Sequence, residues 1–137
     1  MKLSALIPIV ALCLGLTTTA CFDNGDCVSE DELCACEGAG LCTWDCPDGR
    51  CSYEAGGAGA ASFSCDGGDC DLLASGTGAV DYDCLGGGCY AEVTGQGSLD
   101  LSCAGGACTV DCNGTGACTI TDCDDCECNA SLTGICG

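Results

Sequence analysis

Between about Cys36 and Cys128 the chain alternates apolar and polar residues with period two, interrupted at regular intervals by glycine turns. One stretch places Cys89, Ala91 and Val93 on one parity, passes Gly95-Gln96-Gly97, and resumes with Leu99, Leu101 and Cys103. The stretch before it does the same with Cys70, Leu72 and Ala74, then Val80, Tyr82 and Cys84. Alternation at period two marks a strand that buries one face. Each stretch therefore predicts two short strands separated by a Gly-x-Gly turn, with a second turn of the form x-Gly-Gly-x before the next stretch.

These units recur every 19 residues. Cys46, Cys65, Cys84 and Cys103 are 19 apart, as are Cys51, Cys70, Cys89 and Cys108, and Cys123 and Cys128 continue the series with a slip of one residue. The glycine turns Gly57-Ala58-Gly59, Gly76-Thr77-Gly78, Gly95-Gln96-Gly97 and Gly114-Thr115-Gly116 keep the same spacing. A unit this short cannot bury a face alone, so neighbouring units must stack. Stacking places Trp44, Phe63, Tyr82, Leu101 and Ile120 in one interior column and Tyr53, Leu72, Ala91 and Val110 in the facing one. Glycines at both corners supply the positive φ that tight turns demand. The expected class is all-β: a small disulfide-stapled β-solenoid of 19-residue coils. An antiparallel β-meander with hairpin disulfides fits the same pattern, because the two turns are nearly equal in length. Recurrence of identical residues at one position suits parallel, in-register stacking.

Cysteine supplies what the apolar residues lack. The 137-residue chain holds 20 Cys and 23 Gly, but only 2 Phe, 1 Trp and 3 Tyr. Few large apolar groups with high net charge normally mean disorder, so cross-links must carry the fold. Strand ends separated by x-Gly-Gly-x bring Cα atoms to the roughly 5.5 Å that a disulfide needs. Local pairing then joins Cys46 to Cys51, Cys65 to Cys70, Cys84 to Cys89, Cys103 to Cys108 and Cys123 to Cys128. At the opposite corner the slots filled by Ala55/Ala61, Ala74/Val80 and Val93/Leu99 read Cys36/Cys42 and Cys112/Cys118 in the outermost units. Cys27/Cys34 and Cys126/Cys136 complete the set. A loop of about six residues stabilises by about 2 kcal/mol through chain entropy.

Residues 1–20 read as an export signal: Lys2, an apolar run from Leu3 to Leu16, and small residues ending in Ala20. Residues 21–35 form a Cys-rich linker or cap, 36–128 the repeat domain and 129–137 a tail. If Cys13 leaves with the signal and Cys21 carries a lipid, an even number of cysteines remains to pair. The expected location is the cell envelope, as an outer-membrane lipoprotein held through its lipid anchor, or the extracellular space. Asn113-Gly114-Thr115 and Asn129-Ala130-Ser131 are glycosylation sequons, relevant in a eukaryotic source.

Charge narrows function further. Acidic residues number 21 against two Lys and Arg, for a net charge of -19, so the chain repels phosphate backbones and no nucleic-acid partner is expected. With no His, and with Arg50 the one strong base after the signal, nucleophilic triads and Schiff bases are absent. A structural or surface-interaction role without catalysis follows, the partner being a protein or another surface. No cofactor is required. The outward columns nevertheless collect carboxylates: Asp81 beside Asp100, with Asp83 nearby, and Glu92 beside Asp111. Like charges on adjacent coils repel, and oxygen-only ligands suit Ca²⁺. A further alternative is a thiolate trap for zinc or copper, from Cys34-Ala35-Cys36, Cys123-Asp124-Asp125-Cys126 and Cys126-Glu127-Cys128. An oxidising compartment favours disulfides over thiolates.

The small residues before Cys21, followed by C-x-G-G-x-C and Gly-x-Gly repeats, resemble the small Cys-rich exported lipoproteins of bacteria, a group of uncharacterised function. The resemblance spans residues 36 to 128 and implies export, acylation of Cys21 and a repeat architecture, with no activity attached.

Overall fold

A computed structural model describes residues 23–27, 33–131 and 135–136. The export signal and Cys21 lie outside these residues. All regular structure within them is β. The strands are β1 (Asp23–Asp26), β2 (Leu33–Cys36), β3 (Cys42–Cys46), β4 (Ser52–Ala55), β5 (Ala61–Cys65), β6 (Asp71–Ala74), β7 (Val80–Asp83), β8 (Tyr90–Val93), β9 (Leu99–Ser102), β10 (Thr109–Cys112), β11 (Ala117–Thr121), β12 (Glu127–Ala130) and β13 (Ile135–Cys136).

Odd-numbered strands form one sheet in the order β1-β3-β5-β7-β9-β11-β13, and even-numbered strands form the other, β12-β10-β8-β6-β4-β2. Every pairing within each sheet is parallel. This is a flattened β-solenoid of about five turns, and the parallel ladders set the antiparallel meander aside. Strands β1 and β13 join the ladders too, so the stack runs past both ends of the 36–128 repeat.

The interior columns form as the period requires. Phe63 lies beside Trp44 and Tyr82, and Tyr82 beside Leu101; across the core, Leu72 lies between Tyr53 and Ala91. Tyr53 stacks on Phe63 at a centroid distance of 4.6 Å and meets Tyr82 edge-on at 6.0 Å. Both buried hydroxyls donate to main-chain carbonyls, Tyr53 to Ser64 at 2.7 Å and Tyr82 to Cys70 at 3.0 Å. An amphipathic phenol can be buried when its polar tip finds such an acceptor. Burial and nearby carboxylates push both phenols above the ordinary tyrosine range.

The two corners close differently. At the Cys corner, bridges Cys46–Cys51, Cys65–Cys70, Cys84–Cys89 and Cys103–Cys108 stack one above another, with Cα atoms 6.3 to 6.4 Å apart. Two consecutive residues before the second Cys take positive φ, as in Gly68 (80°) and Asp69 (55°). At the other corner the expected reason for glycine holds at Gly38 (137°) and fails in the coils that follow. Gly57, Gly59, Gly76 and Gly78 are not among the residues with positive φ. They are needed for space: a Cβ on Gly78 would fall on the Gly59 carbonyl oxygen, and one on Gly76 on the Gly57 carbonyl oxygen. Bridges Cys36–Cys42 and Cys112–Cys118 flank this corner, and Cys27–Cys34 forms as expected.

The last Cys corner departs from the sequence expectation. Cys123 pairs with Cys126, where the spacing suggested Cys123 with Cys128 and Cys126 with Cys136. The cause is the one-residue slip. Ser102 faces Thr121, 19 residues on, whereas Thr109 faces Glu127, 18 residues on. The corner is one residue shorter, so Cys126 takes the place beside Cys108, whose amide it accepts at 3.2 Å. Cys128 moves into the interior column beside Val110, and it too is disulfide-bonded.

Candidate binding face

Parallel stacking turns the outward positions into columns on two opposite faces. On the second sheet one column runs Leu33, Ser52, Asp71, Tyr90, Thr109, Glu127, and its neighbour runs Ala35, Glu54, Leu73, Glu92, Asp111, Asn129. Between them lies a shallow depression of about 370 Å³ over β2, β4, β6 and β8. Leu33 and Leu73 project into solvent there, 57% and 38% exposed, with Tyr90 alongside. Glu54, Asp71 and Glu92 rim the same hollow. Apolar contact area and negative charge thus meet on one face, and among the described residues the one basic side chain is Arg50, at a corner.

Tyr90 is held at the edge of this hollow. Its hydroxyl donates to Asp111 Oδ2 at 2.6 Å, and Asn129 Nδ2 donates to Asp111 Oδ1 at 3.0 Å. The donated bonds from Tyr90 and then Asn129 hold the Asp111 carboxyl below its ordinary range. Reciprocally, the bond to Asp111, aided by a little desolvation, pushes the Tyr90 phenol up to about 12. Asp111 therefore stays ionised and Tyr90 stays neutral across physiological pH.

The acidic residues singled out from the sequence do not form one site. Asp81 and Asp100 are direct neighbours in register on β7 and β9, and Asp83 shares β7 with Asp81. Glu92 and Asp111 are neighbours on β8 and β10, in the opposite sheet. Among the described residues, no three carboxylates bring oxygens close enough to share one ion. The triads that do cluster are sulfur: Cys46, Cys51 and Cys70; Cys84, Cys89 and Cys108; Cys103, Cys123 and Cys126. All nine of these are bonded in disulfides and offer no thiolate.

Sequence reasoning missed the column of Leu33, Asp71 and Tyr90. The signal was present, since Leu33, Ser52, Asp71, Tyr90 and Thr109 are spaced by 19. It was hidden because the five share no residue type. Comparison with family models, with curated proteins and with solved structures finds no significant match.

Proposed function

We propose that this chain is an exported, non-catalytic binding module of the cell envelope or extracellular space, whose second sheet receives a cationic partner bearing apolar groups. The observation that carries the reading is the hollow in which exposed Leu33 and Leu73 and the fixed ring of Tyr90 are framed by Glu54, Asp71 and Glu92. A rigid aromatic with aliphatic neighbours supplies contact area at low entropic cost, and the acidic rim attracts a partner of opposite charge. Export is supported by the bridged cysteines, which suit an oxidising compartment. Anchoring through acylated Cys21 belongs to the same proposal; Cys21→Ser is expected to move the protein from the membrane fraction to the soluble one.

Titration with a short peptide alternating Lys and Leu, followed by calorimetry, tests the binding face. Binding is expected to weaken at least tenfold in the triple variant Glu54→Gln, Asp71→Asn, Glu92→Gln, and to fall with added salt. Equal affinity for the variant and the unaltered protein overturns the assignment of this face.

The second reading is a divalent cation between Asp81 and Asp100, favoured by their in-register adjacency on the first sheet. Calcium that binds only the folded chain is expected to raise the melting temperature with the logarithm of its concentration. Equal melting in EDTA and in millimolar calcium, at matched ionic strength, rejects it.

A further inference from the structure

A second space, partly open to solvent, lies inside the Gly-x-Gly corner, about 250 Å³ in volume. Inward side chains set its shape coil by coil. The paired slots read Cys36/Cys42, then Ala55/Ala61, Ala74/Val80, Val93/Leu99 and Cys112/Cys118. Side-chain volume rises from Ala/Ala through Ala/Val to Val/Leu, so the space narrows along the solenoid axis and ends at Val93.

Residual exposure traces the same passage. Cys36, Cys42, Ala55, Ala61, Ala74 and Val80 keep 4 to 7% of their accessible surface, and all six line the space. Every other buried apolar residue keeps 2% or less, Val93 and Leu99 included. Solvent therefore reaches in from the Cys36–Cys42 end and stops at Val93. The lining reaches the turn of Glu37 to Gly40, the first described turn of this corner. Three coil steps separate Gly38 from Gly95, so the passage is roughly 14 Å deep at the usual strand spacing.

Its walls combine apolar side chains with the main chain of the glycine turns, much of which is already paired. The amides of Gly57, Gly76 and Gly95 donate across coils to the carbonyls of Cys36, Ala55 and Ala74, and those of Ala58 and Gly78 to Gly38 and Gly57. Among the described residues the one buried side-chain polar atom without a partner is Trp44 Nε1, which is not in the lining. The methyl groups of Ala55, Ala61, Ala74, Val80 and Val93 that face this space offer contact area to an apolar guest. The narrow, one-ended shape selects an unbranched chain over a ring. At the mouth, Glu37 and the surplus of negative charge over the whole chain disfavour an anionic head group and favour a cationic one.

We infer that the Gly-x-Gly corner is a binding channel for a single unbranched alkyl chain with a cationic head group, the tail running from the Glu37 turn toward Val93. The site is distinct from the acidic face on the second sheet and does not depend on it.

Binding of decylamine, 1-decanol and decanoate, each below its aggregation concentration, is measured on the oxidised protein by calorimetry and by intermolecular nuclear Overhauser effects. Decylamine is expected to bind most tightly and decanoate at least tenfold more weakly. Tail methylenes should show effects to the methyls of Ala55, Ala74 and Val80. The blocking variant Ala55→Val, Ala74→Val copies Val93 into the two preceding coils of the same column, so the solenoid itself tolerates these side chains. It should weaken all three ligands at least tenfold; Ala61→Val, which copies Val80 in the facing column, is the substitute if the double variant does not fold. Glu37→Gln should narrow the gap between decylamine and decanoate while leaving 1-decanol unchanged. Absence of binding by all three ligands, undiminished binding to the blocked variant, or effects confined to Leu33 and Leu73 overturns the channel. Equal affinity for decylamine and decanoate overturns the head-group assignment.

Discussion

The solenoid turns its chain at two corners per coil, and the two corners solve the same problem with different chemistry. At one, a disulfide clamps the strand ends and two residues in succession adopt positive φ, as at Gly87 and Gly88. At the other, no bond joins the strands in the central coils; glycine lets each turn settle onto the backbone of the turn below. The clamped corner is filled by sulfur and packs shut, its cysteines from Cys46 to Cys108 at 2% exposure or less. The glycine corner is close-packed along the stack but hollow inside. Main-chain contact at glycine packs both corners along the stack, as Gly67 and Gly86 show at the clamped one, and covalent closure is added where sulfur fills the turn.

The largest test of that contrast is a methyl group at the glycine corner. A Cβ on Gly78 would occupy the space of the Gly59 carbonyl oxygen, and coils 4.8 Å apart have no slack to absorb it. Because the obstacle is backbone, the coils must separate and the inter-coil bond from the Gly78 amide to the Gly57 carbonyl at 3.3 Å must break. Gly78→Ala is expected to cost more than about 4 kcal/mol, or to yield no folded protein. Secretion level and circular dichroism report it. A variant that melts within a few degrees of the parent would show that the corner is not backbone-limited.

A central bridge comes next. Cys84→Ala with Cys89→Ala releases a short loop and leaves two small voids, for a loss of about 2 to 4 kcal/mol in denaturant unfolding. The fold should persist, because the ladders on both sides are intact. The order of the two effects, glycine above disulfide, is the sharper claim, and its reversal would mean that the clamped corner dominates.

The terminal bridge at the glycine corner should matter less. Cys112 and Cys118 occupy the register positions of Val93 and Leu99 in the preceding coil. Replacing them with Val and Leu repeats an arrangement the solenoid already holds. Loss of loop closure, about 2 kcal/mol, is then offset by added apolar burial, leaving a net cost of about 1 kcal/mol. Chemical denaturation of Cys112→Val, Cys118→Leu checks it; a loss above about 3 kcal/mol would show that the end of the stack needs a covalent stop.

The same contrast explains what could be read from the chain beforehand. Period two fixed which residues point inward, and period 19 fixed which residues share a column; Phe63 beside Tyr82 and Asp81 beside Asp100 follow from spacing alone. Period could not tell parallel stacking from antiparallel pairing, since turns of nearly equal length serve both. It also could not give the role of glycine. Positive φ and close approach select the same residue; Gly68 meets both demands and Gly78 the second alone. The bridge Cys123–Cys126 was hidden because a missing residue can be absorbed at several points between Asp122 and Glu127, and its position decides which Cys meets Cys108. The channel was invisible for a related reason: Ala55, Ala61 and Ala74 read as small core residues until stacking aligns them.

The smallest effect concerns the left-handed slot immediately before the second Cys of the clamped corner. Arg50, Asp69, Gly88, Ala107 and Asp125 fill it in successive coils, with φ of 60°, 55°, 69°, 58° and 59°. The backbone is held at this value whatever the side chain, so this slot imposes a conformation, while Gly67 and Gly86 earlier in the same turns impose a clearance as the glycine corner does. Left-handed geometry costs an L-residue about 1 kcal/mol, while an added glycine costs about 0.5 kcal/mol of unfolded-state entropy. Aspartate offsets part of the strain by local hydrogen bonding, but alanine has nothing to offer. Ala107→Gly is therefore expected to stabilise by about 0.5 kcal/mol, and Asp69→Gly by less. Gly88→Ala should cost about as much as the reverse of Ala107→Gly, because the nearest atom to its Cβ ends the flexible, exposed Asp69 side chain, which can swing aside. Denaturant midpoints of the three variants under one buffer give the ranking. Destabilisation by Ala107→Gly would mean that the clamp leaves φ free to relax, and the two corners would then differ in covalency alone.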